Sequence, residues 1–138
     1  MRFFVGLLFM VLLWTRPLSA QTTLPSEFLL CLHLAETSGR TGRVVGDGGR
    51  ALGPFQITES YWKDSGVYGS YDCVTDYQYA SYVVEAYLRR YAPYAVATGD
   101  YYRLARIHNG GPRGDTYRST EAYGRRVYSN YLALKRRR

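Results

Sequence analysis

The sequence is poor in the residues on which metal binding and nucleophilic catalysis depend. Its 138 residues include two cysteines and two histidines. These four residues have neither the spacing of a zinc site nor that of a Ser-His-Asp triad. The chain also lacks internal repeats, and its N-terminal apolar run is too short to cross a bilayer comfortably. These absences argue against a metalloenzyme and against stable insertion into a membrane, and they predict no cofactor.

The N-terminal segment has the organisation of a secretory signal peptide. Arg2 supplies the positive charge, Phe3–Trp14 is the apolar core, and residues 18–20 (Leu-Ser-Ala) form a small-residue cleavage site. We therefore expect a signal peptide over residues 1–20 and a secreted, extracellular protein. Residues 21–138 suffice for one compact domain and not for two.

The two cysteines, Cys31 and Cys73, form an even pair in a chain expected to be secreted. In an oxidising compartment such a pair suggests one disulfide. The bridge would close a loop of about forty residues and contribute on the order of 3–4 kcal/mol. The alternative is two buried free thiols.

The chain is basic, with a formal net charge of +7 at pH 7. A secreted cationic protein is attracted to anionic surfaces, including bacterial envelopes. The Lys135–Arg138 tail adds to this charge, although it can equally be a solvated end. No nucleic-acid motif accompanies the charge, so nucleic acid is not an expected partner. We expect a monomer.

The periodicity of the apolar residues predicts four or five helices and one small hairpin, an α+β pattern dominated by helix. The first helix is expected from Pro25 to about Ser38, and Asp-Gly within Gly46–Gly49 is a hairpin signal. Pro93 should limit a later helix. Helix caps are expected at Thr58, at Thr75 (with Gln78 completing a capping box), at Asp100 and at Thr120.

Glu36 is the first candidate for chemistry, because it ends an apolar helix. A carboxyl group at such a site is expected to be partly desolvated, which favours its neutral form and raises its pKa. A glutamic acid of raised pKa can donate a proton at neutral pH. The commoner alternative is a solvated residue at a helix end.

Asp47 follows in the glycine-rich turn. A hairpin that folds back on the first helix would set Asp47 across a cleft from Glu36, with one carboxyl protonated and the other ionised, as glycoside cleavage requires. Their separation would decide between retention, at roughly 5–5.5 Å, and inversion, at roughly 6.5–9.5 Å. The alternative is a turn aspartate that binds its own backbone. The remaining acids considered are expected at the surface or in caps: Asp64, Asp72, Asp76 and Glu85.

Five short motifs then follow one another in order along the chain. They are Glu36–Gly39, Asp47–Gly49, Gly53–Ile57, Tyr61–Gly66 and Arg106–Gly114. Each motif alone is weak, but the ordered set is specific. It resembles the invertebrate-type lysozymes of the destabilase group, and the resemblance extends from about Cys31 to Tyr123.

The resemblance implies a lysozyme-like fold with the hairpin beside the active-site cleft. It gives Glu36 the position of the general acid and makes Asp47 the best candidate for the second carboxylate. Cys31 and Cys73 both fall where cysteines of the family stand, so a single bridge is implied as well. The resemblance also implies five substrate-binding residues: Gln56, Tyr61, His108, Asn109 and Gly110.

The leading hypothesis is therefore an antibacterial lysozyme that cleaves peptidoglycan. One alternative is a lytic transglycosylase that uses Glu36 as both acid and base and leaves an anhydro-muramyl end. A second is a non-catalytic, cationic wall-binding antimicrobial protein. The isopeptidase activity of the family is less favoured, because Thr58 stands where members often have lysine.

Overall fold

The structure, a computed structural model, describes residues 24–138. The predicted signal peptide over residues 1–20, and the first three residues of the predicted domain, lie outside this range. Within it the chain forms six α-helices and three short strands. The helices are α1 (Ser26–Thr37), α2 (Glu59–Ser65), α3 (Tyr77–Tyr91), α4 (Pro93–Thr98), α5 (Tyr101–Gly110) and α6 (Glu121–Arg136). The strands are β1 (Val45–Gly46), β2 (Ala51–Leu52) and β3 (Ile57–Thr58).

The mostly helical α+β prediction is thus confirmed, and the predicted hairpin is part of a three-stranded antiparallel sheet. β1 pairs with β2, and β2 pairs with β3. The turn between β1 and β2 has positive φ angles at Asp47 (51°) and Gly48 (64°). Asp and Gly adopt this conformation more readily than other residues, which is why Asp-Gly predicts a hairpin. A two-residue strand such as β3 is too short to show alternation in sequence.

The core lies between α6 and the two helices that it contacts, α1 and α5, with α3 packed against α5. Phe28 on α1 is fully buried and stands 5.0 Å from Tyr101 and 6.3 Å from Tyr131, measured between ring centroids. Aromatic pairs at these distances add to the burial of apolar area. The predicted buried face of α1 is confirmed at Phe28, Cys31 and Leu32, whereas Ala35 is only half-buried.

Two of the four expected caps are confirmed. The Thr58 hydroxyl accepts a hydrogen bond from the Tyr61 backbone N–H (3.2 Å), and Asp100 accepts one from Arg103 N–H (3.1 Å). Each bond satisfies a backbone donor that the first helical turn leaves free. Pro93 lies beyond the end of α3, as predicted, and also opens the short helix α4.

The capping box at Thr75 is wrong. α3 begins one residue after Asp76, whose carboxylate accepts from the Tyr79 N–H at 2.8 Å. Thr120 stands at the start of α6 but does not cap it with its side chain. Its hydroxyl donates instead to the carbonyl of Gly114 at 2.5 Å, so it holds the preceding loop.

The predicted Cys31–Cys73 disulfide is also wrong, since both thiols are free. Cys31 faces the core from the buried side of α1 and is fully enclosed. Cys73 lies in a short 3-10 helix that buries Val74, which turns the Cys73 side chain outward to solvent. Its Sγ is 3.4 Å from the Ser70 hydroxyl. The two sulphur atoms therefore occupy opposite environments.

Over residues 24–138 no helix is long and apolar enough to cross a membrane. The same range has no group of three His, Cys, Asp or Glu side chains placed to hold a metal ion.

Candidate active site

Glu36 lies in the last turn of α1 and opens onto a cavity of about 290 Å³. Ser38 ends the helix in the left-handed conformation (φ 55°), so the chain turns away directly after Glu36. The walls come from β3, from α2 and from the end of α5 with the turn that follows it. The lining residues are Glu36, Gln56, Thr58, Ser60, Tyr61, Asp64, Tyr87, His108, Asn109, Gly111 and Pro112.

Two helices hold the Glu36 carboxyl group by the same oxygen. The Tyr123 hydroxyl, on α6, donates a hydrogen bond to Glu36 Oε1 at 2.5 Å. His108 Nε2, on α5, stands 3.5 Å from Oε1. The Glu36 side chain is 17% exposed, so its remaining surface faces the cavity. The carboxyl group is therefore enclosed, oriented and open on one side.

Tyr61 orients His108 from the opposite side. The Tyr61 hydroxyl is 2.9 Å from His108 Nδ1, and the Tyr61 ring stacks on Tyr87 at a centroid distance of 3.6 Å. Burial raises the pKa of Tyr61 well above its ordinary value. Because the ionised Glu36 carboxylate can only accept, His108 Nε2 is the donor to it, and a neutral His108 then accepts from the Tyr61 hydroxyl at Nδ1. In a neutral imidazole the ring proton then sits on Nε2, where it points toward Glu36.

The pKa of Glu36 differs from the sequence prediction. Burial is the largest single influence and raises the pKa, as predicted. The hydrogen bond and charge of His108, the hydrogen bond of Tyr123 and the charge of Arg126 together outweigh it. The pKa of Glu36 in the unliganded protein therefore lies below its ordinary value of 4.5, and the predicted increase is wrong. The local sequence gave no sign of donors supplied by α5 and α6.

Asp47 does not line the Glu36 cavity. Its side chain is 57% exposed, and its Oδ1 pairs with Arg50 Nη2 at 2.9 Å. The Asp47 carbonyl also accepts from the backbone N–H and Nε of Arg50. Asp47 and Arg50 face a neighbouring cavity of about 520 Å³. Thr58 and Ser60 line both cavities, so the two openings adjoin along the start of α2.

Gln56 lines the Glu36 cavity and also holds the sheet. Its Nε2 donates to the carbonyls of Val44 and Gly53, both at 3.0 Å. A Cβ at Gly46 would lie 1.8 Å from Gln56 Oε1, so a larger residue there would force the Gln56 amide to move. The Gln56 amide is thus positioned by backbone contacts on two sides.

The segment after His108 divides between the cavity and the protein interior. His108 and Asn109 line the cavity, whereas Gly110 faces Thr120, whose Cγ2 would lie 2.6 Å from a Cβ at that position. Gly110 therefore permits close packing, and the next two residues continue the cavity wall. Tyr61 lines the cavity too, although it is a buried residue.

Among the residues of this site that sequence reasoning missed, two bear on its chemistry. Tyr123 is 87 positions from Glu36 and carried no signal beyond its place in an amphipathic helix. Asp64 was expected at the surface, but it is half-buried and lines the same cavity as Glu36. Its position within the Tyr61–Gly66 motif was the available signal.

Comparison with known sequences gives a consistent result. The chain matches the destabilase family over residues 26–130. It is 40% identical to a lysozyme of Ostrea edulis over 99 residues, which are 69% of this chain and 72% of that protein. It is 42% identical to a lysozyme of Magallana gigas over 80 residues, or 56% of this chain. That second match spans 58% of the length of the Magallana gigas protein.

A solved structure has the same fold. A chain in the crystal structure of Aeromonas hydrophila PliI in complex with Meretrix lusoria lysozyme aligns with a TM-score of 0.65 and 34% sequence identity. The alignment covers 78% of this chain and 91% of that one. The lysozyme-like fold predicted from the ordered motifs is therefore confirmed.

Proposed function

Because this chain belongs to the destabilase family, the invertebrate-type lysozymes, we propose that it hydrolyses the glycan strands of bacterial peptidoglycan. The bond cleaved is the β-1,4 link between N-acetylmuramic acid and N-acetylglucosamine, and Glu36 is the general acid. The observation that carries the proposal is the enclosed carboxyl group of Glu36, which opens onto a cavity and is held by donors from two helices.

Glu36 has a low pKa in the free protein but must be protonated to act as an acid, and substrate binding accounts for the difference. A glycan in the cavity excludes water, which increases the desolvation of the carboxylate and raises its pKa. Desolvation is already the largest single influence on this group, so further burial acts on the dominant contribution. Glu36 is then protonated when the glycosidic oxygen lies beside it, and it transfers that proton to the leaving group.

The second carboxylate is Asp47 in this proposal. An ionised carboxylate beside the anomeric carbon stabilises or attacks the oxocarbenium-like centre, and water completes hydrolysis. In support, Asp47 faces the cavity that adjoins the Glu36 cavity. Asp47 forms an ion pair with Arg50 at the exposed surface. Such a pair is weak enough for a substrate to displace Arg50 from the carboxylate. Asp64 is the competing candidate, because it lines the Glu36 cavity itself.

The proposed substrate-binding residues divide by their accessibility. Asn109 presents an amide group at the cavity wall, which suits hydrogen bonds to acetamido and hydroxyl groups. Gln56 offers its Oε1 as an acceptor, because its Nε2 already donates to two backbone carbonyls. Tyr61 and His108 act mainly by orienting Glu36, because their polar atoms are paired with each other. Gly110 contributes by letting the wall pack closely.

The partners follow from the charge and the family. We propose a secreted, antibacterial protein whose positive charge favours contact with anionic bacterial surfaces. In support, α6 extends to Arg136, so part of the basic C-terminal tail is helical, and Arg138 pairs with Glu27 at 2.6 Å. The similarity to a chain in the complex of Aeromonas hydrophila PliI with Meretrix lusoria lysozyme suggests a further partner, a bacterial protein of the PliI kind.

Clearing of purified peptidoglycan tests the proposal. Glu36→Gln keeps the shape of the side chain but removes the proton donor, so the clearing rate should fall on the order of a hundredfold or more. Glu121→Gln, an exposed acid on α6, is the matched control and should clear like the wild type. Full clearing by Glu36→Gln would refute the proposal.

Product analysis and binding separate the alternatives. A reducing end indicates hydrolysis, whereas an anhydro-muramyl end indicates a transglycosylase that uses Glu36 alone. Folded protein that binds walls in a salt-sensitive way but never clears them would indicate a charge-driven wall-binding protein.

A further inference from the structure

We propose that Tyr123 is the positioning residue for the proposed acid: it fixes Oε1 of Glu36 as an acceptor and so leaves Oε2 to carry the transferred proton. The inference rests on the proposed function and adds which oxygen acts and which residue selects it. In this scheme Tyr123 acts through Glu36 and does not touch the substrate, so it is not itself a catalytic residue.

The contact joins two helices that are distant in sequence. α6 packs against both α1 and α5, and the Tyr123 hydroxyl reaches back to Glu36 Oε1 at 2.5 Å. The next residue, Gly124, sets the distance between α6 and α5, because a Cβ there would lie 2.6 Å from Arg106 Cγ. Arg126 lies over the Tyr123 ring, with its Cζ 5.5 Å from the ring centroid. The position of Tyr123 is therefore determined by the packing of α6 against α1 and α5, with Arg126 of the same helix over its ring.

The donors around Glu36 are unevenly distributed. Tyr123 and His108 both approach Oε1, and no side chain or backbone group within residues 24–138 makes a hydrogen bond to Oε2. A phenol that keeps its proton and an imidazole with its proton on Nε2 are both donors. A neutral carboxyl group between them can satisfy both only by presenting its carbonyl oxygen as Oε1. Its proton then sits on Oε2, the oxygen that neither Tyr123 nor His108 approaches.

This arrangement also favours the transfer step. When the proton leaves Oε2 for the glycosidic oxygen, the C–O bond to the leaving sugar breaks, and Glu36 becomes a carboxylate. Hydrogen bonds from neutral donors strengthen when their acceptor becomes charged. The Tyr123 bond therefore stabilises Glu36 most at the moment at which its proton has departed.

The phenol of Tyr123 does not compete as the acid. Burial, and then the charge and hydrogen bond of Glu36, raise its pKa well above the ordinary value of 10. The ionisable groups that act on Glu36 come from two packed helices: His108 on α5, and Tyr123 and Arg126 on α6. The charge of Glu36 in turn raises the pKa of Tyr61 on α2. Removing the Tyr123 hydroxyl removes one of the influences that lower the pKa of Glu36, so Glu36 should stay protonated to higher pH.

Tyr123→Phe tests the proposal, with Tyr128→Phe as the matched control on the same helix. We would measure kcat and KM on soluble peptidoglycan fragments across pH, and titrate the Glu36 carboxyl carbon by NMR. In Tyr123→Phe, kcat should fall roughly tenfold, KM should change little, and both the Glu36 titration and the alkaline limb of kcat should move to higher pH. A merely structural role would not move that limb upward. Tyr128→Phe should match the wild type.

A second variant covers the case in which Tyr123→Phe loses its fold. A fluorotyrosine at position 123 keeps the ring and is a stronger donor, so the Glu36 titration should move to lower pH. Unchanged titrations in both variants, or an unchanged kcat in a folded Tyr123→Phe protein, would overturn the proposal. If Glu36→Gln still clears walls, the proposed function fails, and the proton-positioning proposal falls with it; the NMR titration alone would then report whether the Tyr123 contact exists.

Discussion

The hydroxyl of Tyr61 can be removed without disturbing its ring, which isolates its contact with His108. Tyr61 is 8% exposed, and His108 Nδ1 is the hydrogen-bond partner recorded for its hydroxyl. Tyr61→Phe retains the stack on Tyr87 but leaves a buried imidazole nitrogen without a partner. An unsatisfied buried polar group costs about 1–3 kcal/mol, so the free energy of unfolding should fall by that amount. For a domain of this size that is a decrease in Tm of roughly 3–6 °C per kcal/mol.

The same substitution should affect catalysis through the His108 tautomer. With the neutral His108 proton on Nε2, toward Glu36, the Tyr61 hydroxyl is the donor to Nδ1. Without the phenol, Nδ1 loses that donor, and the tautomer with its proton on Nδ1 becomes less unfavourable. We therefore expect a mixed tautomer in Tyr61→Phe, detected by the nitrogen chemical shifts of the His108 ring, together with a lower kcat. The control, Tyr82→Phe, removes an exposed hydroxyl and should change stability by less than about 0.5 kcal/mol. A wild-type imidazole protonated on Nδ1 would refute the reasoning.

Three further predictions test other parts of the site. Asp47→Asn should lower the clearing rate by at least about tenfold if Asp47 is the second carboxylate, and an unchanged rate beside a strong loss in Asp64→Asn would transfer that role. Because the pKa of Glu36 is lowered on folding, its ionised form stabilises the fold above the unfolded pKa, and this contribution is lost as pH falls through the folded pKa. The Tm advantage of wild type over Glu36→Gln should therefore shrink as the pH is lowered from 6 toward 3, and a constant difference would contradict the sign. In the folded protein a thiol reagent should label Cys73 rapidly and Cys31 only on unfolding. A chain that takes up no reagent until it is reduced would show instead that the two cysteines form a disulfide.

Features that depend on a few neighbouring residues could be predicted from the sequence. The apolar spacing of α1 predicted its buried face, Asp-Gly predicted the turn between β1 and β2, and Thr58 and Asp100 were correctly expected as caps. These outcomes follow from local conformational preference and from periodicity. The ordered motifs likewise indicated the family, and within it Glu36, before any distance was known.

Features that depend on how helices meet could not be predicted in this way. Desolvation of Glu36 is a property of its own helix, but the groups that reverse its effect on the pKa come from α5 and α6. Tyr123 acquires its role only because α6 lies against α1, and Cys31 and Cys73 are separated by which side of each element faces the core. The sequence by itself determined most of the elements and made Glu36 the candidate acid. The tertiary structure decided which groups surround Glu36, which of its oxygens accepts their hydrogen bonds, and in which direction its pKa shifts. The reason is that electrostatic and hydrogen-bond energies depend on distances in space between residues far apart in the chain.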